Sequence, residues 1–265
     1  MLRSVALALV LTACGEPAPV TDAAPAIDAD VDAAGCALPV APSMCDPAAH
    51  PLPNPGCLTE EPGTGGCPAG MIRIDTFCID RYEASLDGVS PYWNPGAMPP
   101  AAHSRKNAVP QAYISGTQAA ASCAAAGKLL CTDTEWQRAC RGPTQLTYPY
   151  GNTRMPGVCN DARATHPAVE YFGTTDPVIF SMLSHPCLDQ LPSSLDRTGE
   201  NAGCVTAEGA FDMMGNLHEW TAAAAGTFRG GFYVDTVANG NGCLYATTAH
   251  DMSYSDYSTG FRCCQ

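Results

Sequence analysis

The sequence predicts an α+β domain that is rich in loops, stapled by disulfide bonds and exported from the cell. The 25 glycines and 23 prolines of the 265-residue chain indicate many turns. The 15 cysteines include no Cys-x-x-Cys pair and no paired Cys/His spacing, which favours disulfides over a zinc or thioredoxin-type centre and indicates an oxidising compartment. Short strand-like runs and two capped helical segments supply the regular elements.

The N-terminus has the pattern of a lipoprotein signal peptide, residues 1–13. Its positive start precedes an apolar run that is too short to span a bilayer as a permanent helix. The following Leu11-Thr-Ala-Cys14 resembles a bacterial lipobox, in which the chain is cut before the cysteine and the thiol carries a lipid. An ordinary signal peptide with an incidental cysteine is the alternative. We expect a lipid on Cys14 that anchors the protein in the membrane of the bacterial cell envelope, at the outer membrane or periplasmic face.

A tether is predicted at residues 14–66, between the anchor and a folded domain at residues 67–265. The tether is rich in Pro, Ala, Asp and Gly and has scarcely any aromatic residues, so no periodic apolar face can be drawn. Cys36, Cys45 and Cys57 suggest that its second half is stapled, with the domain as a candidate partner.

The charge of the chain argues against a nucleic-acid partner. Its formal net charge is −13, and it has only 13 Lys and Arg residues. Phosphate binding needs clustered basic side chains. We interpret the negative charge as keeping an exported protein soluble.

Strands and loops are predicted around two helices. Alternating apolar residues in Cys67–Asp80 predict short strands at the start of the domain. Residues 85–110 form a long irregular loop whose Tyr92 and Trp93 either line a ligand groove or pin the loop to the core. Residues 143–208 keep no sustained period and predict a layer built from loops.

The two helices are marked by their caps. An alanine-rich helix is predicted at residues 117–126, with Ser115 or Thr117 as its N-cap and a glycine after its end. A capping box at Thr132-Asp-Thr-Glu135 opens the second helix, which also ends at a glycine. Trp136 is predicted to face the core.

The stretch Gly209–Trp220 is predicted to lie at the centre of the domain. The amide oxygen of Asn216 and the carboxylate of Glu219 are oxygen ligands of the kind that Ca²⁺ prefers. The same Asn-x-x-Glu spacing also fits a helix capping box, and both interpretations stay open from the residues alone.

Several motifs together resemble the formylglycine-generating enzyme (sulfatase-modifying factor) family over residues 67–265. They stand in the family's order: Phe77-Cys-Ile-Asp-Arg-Tyr-Glu83, Gly127-Lys-Leu-Leu-Cys-Thr-Asp-Thr-Glu-Trp136, Tyr148-Pro-Tyr-Gly-Asn152, Gly209–Trp220, Arg229-Gly-Gly231 and Gly260-Phe-Arg262. The resemblance implies a loop-rich α+β fold related to C-type lectins. It also implies calcium as a cofactor, with Asn216 and Glu219 as ligands and Asn160 beside Asp161 at a second site. An Asx turn explains Asn160 and Asp161 equally well.

The same resemblance implies two disulfides, Cys123–Cys263 and Cys140–Cys243. Lipidation of Cys14 would leave 14 of the 15 cysteines, an even number that can pair completely. Proximity in the expected fold suggests three further pairs: Cys131–Cys159, Cys187–Cys204 and Cys78–Cys264.

The family's enzymes oxidise a substrate cysteine to formylglycine with O₂ at a copper ion held by two thiolates that follow an Arg-Gly-Gly-Ser segment. Here the corresponding cysteine positions fall on Asp235 and Gly240 without gaps, or on Tyr233 and Ala238 when aligned backwards from Cys243. Soft Cu(I) needs the missing sulfurs. Phe232 also replaces the expected serine, and His218 replaces the expected tryptophan. Copper is therefore not expected.

Two classes of function remain. The first is a non-catalytic envelope module that binds a protein, peptide or glycan, and the second is an enzyme of this family with copper-independent chemistry. Titratable residues clustered around His218 and Asp235 in a deep pocket would favour the enzyme, although a lone histidine is more often a packed side chain. A shallow surface lined by Tyr92 and Trp93 would favour the binder.

Overall fold

The computed structural model describes Val31, residues 35–39 and residues 44–265. The predicted signal peptide and Cys14 lie outside these residues. Within the described part, no helix combines the length and apolar character needed to cross a membrane.

The first sheet joins the start of the domain to its C-terminus. Its four strands run in the order β1 (Met71–Ile74), β2 (Phe77–Asp80), β10 (Cys263–Cys264) and β5 (Leu129–Leu130), and all three pairings are antiparallel. β1 and β2 are the short strands predicted in Cys67–Asp80. Their buried isoleucines pack against Trp136, which is fully buried as predicted.

The two main helices lie where their caps predict them. Helix α1 (Gly116–Ala125) has Ser115 as its N-cap, in a reciprocal capping box with Gln118. Helix α2 (Asp133–Arg141) has Thr132 as its N-cap, in a second capping box with Glu135. Each box satisfies backbone N–H groups that the first helical turn would leave without partners.

A second four-stranded sheet carries the Gly209–Trp220 stretch. The strand order is β8 (Ala246–Thr247), β7 (Thr227–Arg229), β6 (His218–Thr221) and β9 (Thr259–Phe261), with β6 and β9 parallel. A separate antiparallel pair, β3 (Ala84–Leu86) and β4 (Ala102–Ser104), lies largely within residues 85–110. The prediction of one continuous irregular loop there is therefore wrong at these two strands, which are too short to produce a period in the sequence. Because Glu219 lies on β6, the helix-capping interpretation of Asn216 and Glu219 is wrong.

Residues 143–208 form the predicted loop-built layer, with three short helical turns in it. Helix α3 (Pro167–Phe172) has His166 as its N-cap and Pro167 at its first position, and 3₁₀ turns lie at Pro177–Ser181 and Leu188–Gln190. A further 3₁₀ turn lies at Gly242–Leu244. These elements are too short to produce a period in the sequence.

Seven disulfides pair all the cysteines other than Cys14. The two pairs implied by the resemblance, Cys123–Cys263 and Cys140–Cys243, are both present. The other five bonds are Cys36–Cys57, Cys45–Cys187, Cys67–Cys78, Cys131–Cys264 and Cys159–Cys204.

The three pairs suggested by proximity, Cys131–Cys159, Cys187–Cys204 and Cys78–Cys264, are wrong. Cys264 is opposite Ile79 in the β10–β2 register. Successive side chains of a strand point to opposite faces, so the neighbouring Cys78 projects away from Cys264. Cys131 directly follows β5, the other neighbour of β10, and therefore reaches Cys264.

The described end of the predicted tether packs against the domain. Asn54 is buried and exchanges two hydrogen bonds of 2.8 Å with the backbone of Val109. Leu58 is buried beside Ala108, and Glu61 forms an ion pair with Arg81. Residues 44–66 are therefore part of the folded unit.

Candidate functional site

Asn216 lies in a tight turn immediately before β6. Asn216 has φ 56°, and Gly215 has φ 78°. A Cβ atom on Gly215 would lie 2.2 Å from the carbonyl oxygen of Asn160, so only glycine fits there. The Asn216 Oδ1 atom accepts hydrogen bonds of 3.0 Å from Asn160 Nδ2 and from the backbone N–H of Asp196. Its amide nitrogen donates to Glu83.

Glu219 is the partner of Arg262 in a fully buried ion pair. The guanidinium donates to both carboxylate oxygens of Glu219 at 2.6 Å, and Trp136 Nε1 donates to Glu219 Oε2 at 2.7 Å. Arg262 also donates to the backbone carbonyls of Asp80 and Phe211. This geometry links the two sheets and α2, which explains why the Glu-Trp and Gly-Phe-Arg motifs occur together.

Two further carboxyl groups are buried beside this pair. Burial, followed by the neighbouring carboxylates of Asp212 and Glu219, raises the pKa of Glu83 well above its usual range. Burial also raises the pKa of Asp212 to about 7. Both shifts favour the protonated form of Glu83 and Asp212. The direct contacts with the Arg262 guanidinium are made by Glu219.

The predicted calcium ligands do not fit a calcium ion in this arrangement. The Asn216 oxygen and both Glu219 oxygens already accept hydrogen bonds from protein donors, and Arg262 supplies the positive charge opposite Glu219. The Asn160 side chain turns its nitrogen, a donor, toward Asn216 and Ser194. Among the described residues, no group of three or more His, Cys, Asp or Glu side chains is placed to hold a metal ion.

His218 and Asp235 are brought together through Tyr245. The Tyr245 hydroxyl donates to Asp235 Oδ2 at 3.2 Å and lies 3.4 Å from His218 Nε2, while His218 Nδ1 lies 3.1 Å from Ser258 Oγ. Burial lowers the pKa of His218 to about 3, so its imidazole is neutral at physiological pH. The Phe232 ring packs 4.8 Å from the His218 ring.

Tyr92 and Trp93 line two adjoining cavities, away from His218 and Asp235. One cavity, of about 450 Å³, includes Trp93, and the other, of about 500 Å³, includes Tyr92. His50, Pro51, Leu52 and Pro53 line both cavities. The His50 and Trp93 rings are in contact, with centroids 4.0 Å apart. We refer to residues 44–58 as the strap and to the two cavities as the groove.

Comparison with known proteins establishes the family. The family model for the sulfatase-modifying factor enzyme 1-like domain matches residues 58–265. The chain belongs to the sulfatase-modifying factor enzyme 1-like family. Its α+β architecture is the loop-rich, C-type-lectin-like fold of that family, here stapled by disulfides.

Two curated relatives share part of this family domain. They are the inactive C-alpha-formylglycine-generating enzymes 2 of Mus musculus and Bos taurus, 27% and 28% identical to the chain over 187 residues. The matches cover 65% of this chain and 54% and 55% of the two relatives. The chain therefore spans about half the length of the curated relatives it matches.

Solved structures with a similar fold share little sequence with the chain. CarF is 15% identical, with a TM-score of 0.41, and the match covers 71% of this chain and 85% of CarF. The P3c variant of the major tropism determinant is 16% identical, with a TM-score of 0.42 and coverage of 76% and 54%.

The segment that would carry the family's copper ligands is folded without free thiolates. Asp235 accepts hydrogen bonds from the backbone N–H groups of Val237 and Ala238 and so caps a turn. The Tyr233 side chain is buried and donates to Asp189. Gly240 lies in a turn with φ 113°, and Cys243 is bonded to Cys140. Neither alignment of the segment therefore supplies a two-thiolate site.

Sequence reasoning predicted that the second half of the tether is stapled, with the domain as a candidate partner, but it did not place the strap beside Tyr92 and Trp93. The low-complexity composition of the strap led to its assignment as tether. The available signal was the pair Cys45 and Cys57, because a short segment with a disulfide at each end is fixed to other parts of the fold. Only the long-range partner, Cys187, shows where the strap lies.

Proposed function

We propose that this protein is a lipid-anchored component of the bacterial cell envelope whose family domain binds a partner and catalyses no reaction. The observation that carries the proposal is the groove beside Tyr92 and Trp93. Its aromatic and proline-rich walls and its accessible volume of several hundred cubic ångströms are typical of a site for a small segment of a partner. Leu52 at its edge is 86% exposed, which leaves apolar surface for a ligand to cover.

The chemistry of the groove favours an uncharged peptide segment as the ligand. No Asp, Glu, Lys or Arg is among the residues that line the two cavities. The one side-chain amide there, Asn94, donates to the Tyr113 carbonyl at 2.7 Å and accepts from Gln118 at 2.7 Å. It is therefore committed, and glycan hydroxyls would find few polar partners. Proline rings and a Trp face bind apolar peptide side chains by packing.

The absence of catalysis is proposed from the disulfide at Cys243 and from the relatives. A disulfide sulfur is not a thiolate ligand, so Cys243 does not serve Cu(I) while it is bonded to Cys140. The two curated relatives are named as inactive formylglycine-generating enzymes. Copper and calcium have no part in the proposed function.

The alternative is an enzyme of the same family with copper-independent chemistry. The hydrogen-bonded chain of Asp235, Tyr245 and His218 favours it, because these side chains together are able to move a proton. His218 is only 6% exposed, however, and none of the three residues lines the groove. A substrate therefore has no path to His218 through these cavities.

The anchor is tested by labelling cells with a fatty-acid analogue. The proposal expects label on the wild-type protein and none on the Cys14→Ser variant. Equal label on both would reject a lipid on this cysteine.

The groove is tested by photo-crosslinking in the protein's own cells. A photoreactive amino acid at Leu52 is expected to capture a defined partner, and the crosslinked peptide is expected to be uncharged. The matched control is Leu129, which is 71% exposed and lies outside both cavities. Identical products from the two positions, or capture of a glycan at Leu52, would contradict the proposal.

A further inference from the structure

The groove is lined by the strap and by the domain, and its second cavity is also lined by Ala37, Leu38 and Pro39. The strap contributes His50, Pro51, Leu52 and Pro53 to both cavities and Pro55 to the second. The domain contributes the loop around Trp93 and, in the second cavity, Tyr92 and Val109. The shape of the groove therefore depends on what holds the strap in place.

The strap is attached mainly at its two ends. At one end Cys45 is bonded to Cys187, 142 residues away in the loop-built layer. At the other end Asn54 is hydrogen-bonded to Val109, and Cys57 is bonded to Cys36. Between these ends, the described hydrogen bonds of residues 46–53 stay within the strap and centre on Asp46. The ring contact of His50 with Trp93 is the main described link of this middle part to the domain.

Cys45 is accessible to reagents to an extent that most other bonded cysteines are not. Cys45 is half-buried and Cys57, at the other end of the strap, is exposed, whereas Cys123, Cys131, Cys140 and their partners are at most 1% exposed. A small dithiol therefore reaches the Cys45–Cys187 bond before the bonds of the core. The half-buried Cys67 provides a comparison, since its bond to Cys78 closes the β1–β2 hairpin and lines neither cavity.

We propose that the Cys45–Cys187 disulfide is a redox-sensitive clip that assembles the groove, an inference that rests on the proposed function. In the reduction step, one thiolate of a dithiol reductant attacks one sulfur of the Cys45–Cys187 bond, forms a mixed disulfide and releases the other cysteine. The second thiolate of the reductant then attacks the mixed disulfide and releases the remaining cysteine. Cys45 and Cys187 are reduced to two thiols and take up the two protons, and the dithiol is oxidised to a disulfide. The strap then keeps only its Asn54 end, and its middle part separates from Trp93. Exchange with an oxidised dithiol protein reverses the step.

Tryptophan fluorescence tests the clip without a ligand. Trp136 and Trp220 are fully buried, so acrylamide quenching reports mainly on the half-buried Trp93. The Cys45→Ser/Cys187→Ser variant is expected to show stronger quenching and new proteinase K cleavage within residues 46–53. The Cys67→Ser/Cys78→Ser variant is expected to keep wild-type quenching. Wild-type quenching and cleavage in the Cys45→Ser/Cys187→Ser variant would overturn the clip.

Two measurements keep this test independent of folding and of the proposed function. The near-ultraviolet circular dichroism of each variant checks that its core is native. Wild-type protein that is mildly reduced with dithiothreitol, with Cys45–Cys187 mapped as reduced and Cys36–Cys57 as intact, is expected to reproduce the quenching of the Cys45→Ser/Cys187→Ser variant. Unchanged quenching after this mapped reduction would also overturn the clip. Increased quenching without a partner captured at Leu52 in wild-type cells would reject the binding function but leave the clip in place.

Discussion

Arg262 and Glu219 form a buried ion pair inside the domain. Both side chains are at most 1% exposed, and each carboxylate oxygen accepts from the guanidinium. Taking two charges out of water is costly, and the pair offsets this only while both partners are present. The pair therefore makes the Glu-Trp and Gly-Phe-Arg motifs depend on each other.

Removal of one partner should be strongly destabilising. Arg262→Met leaves the Glu219 carboxylate buried without its guanidinium, and we expect a loss of about 3–5 kcal/mol in the free energy of unfolding. Urea denaturation measures it. The control is Asp75→Ala, which removes an exposed ion-pair partner of Arg138. Arg138 retains its second ion pair, with Glu208. A loss in Arg262→Met no larger than in the control would contradict the assignment.

The buried His218 makes stability fall in acid. Its pKa is lowered by burial from 6.5 to about 3, so between these values the unfolded state binds a proton that the folded state does not. The contribution of this group to stability is therefore complete above the unfolded pKa and is lost as pH falls, by up to about 1.4 kcal/mol per pH unit. We expect His218→Gln to lose less stability than wild type as the pH is lowered through this window, measured by urea denaturation. Parallel curves for the two proteins would contradict this.

For single residues, the sequence predicted which positions are important more accurately than it predicted their contacts. Asn216 and Glu219 were predicted as important, but the residues alone left calcium and a helix cap as alternatives. The helix cap is wrong, because Glu219 lies on a strand and binds Arg262, which is 43 residues away. Such long-range pairing leaves no local spacing to detect.

The elements of the fold were more predictable where local chemistry decides them. The N-cap of α1 was predicted as Ser115 or Thr117, and the capping box of α2 and the short strands β1 and β2 were predicted from their residues. All four residues of β6 are buried, so this strand shows no alternation of apolar and polar residues, and β7, β8 and β9 have only two or three residues. Their positions are set by the sheet rather than by propensity.

The cap of α2 gives an element-scale prediction. Thr132 accepts from the backbone N–H of Glu135, and Glu135 accepts from the backbone N–H of Thr132. Thr132→Ala should lower the free energy of unfolding by about 1 kcal/mol, because a first-turn N–H loses its partner. Thr134→Ala, at an exposed position inside the same helix, is the control and should change stability little. Equal effects of the two substitutions in urea denaturation would reject the capping box as a stabilising element.

At the scale of the whole molecule, the order of the motifs predicted the family fold. The sequence predicted only two of the disulfides correctly. Cys123–Cys263 and Cys140–Cys243 connect α1 and α2 to the C-terminal third of the chain, as the resemblance implies. Cys45–Cys187 was not predicted, because it depends on where an N-terminal segment without periodicity returns to the domain. The sequence analysis offered Tyr92 and Trp93 as a possible groove, but without this bond it did not place residues 44–58 beside them.

The family domain is retained in this molecule, whereas the sulfur ligands of the family's copper chemistry are not. All the cysteines other than Cys14 are held in disulfides, and Cys243 is held by Cys140. The apolar Phe232 ring occupies the position of the expected serine and packs against His218.

The most direct test is to incubate the purified protein with Cu(I), O₂ and a peptide that carries the sulfatase Cys-x-Pro-x-Arg motif, and to measure aldehyde formation by mass spectrometry. Oxidised and reduced protein are tested in parallel, with copper alone as the control. We predict no aldehyde above the copper control in either state, because neither alignment of the copper segment supplies two thiolates. Turnover above that control would show that another ligand set supports the oxidation, and it would contradict the non-catalytic binding module.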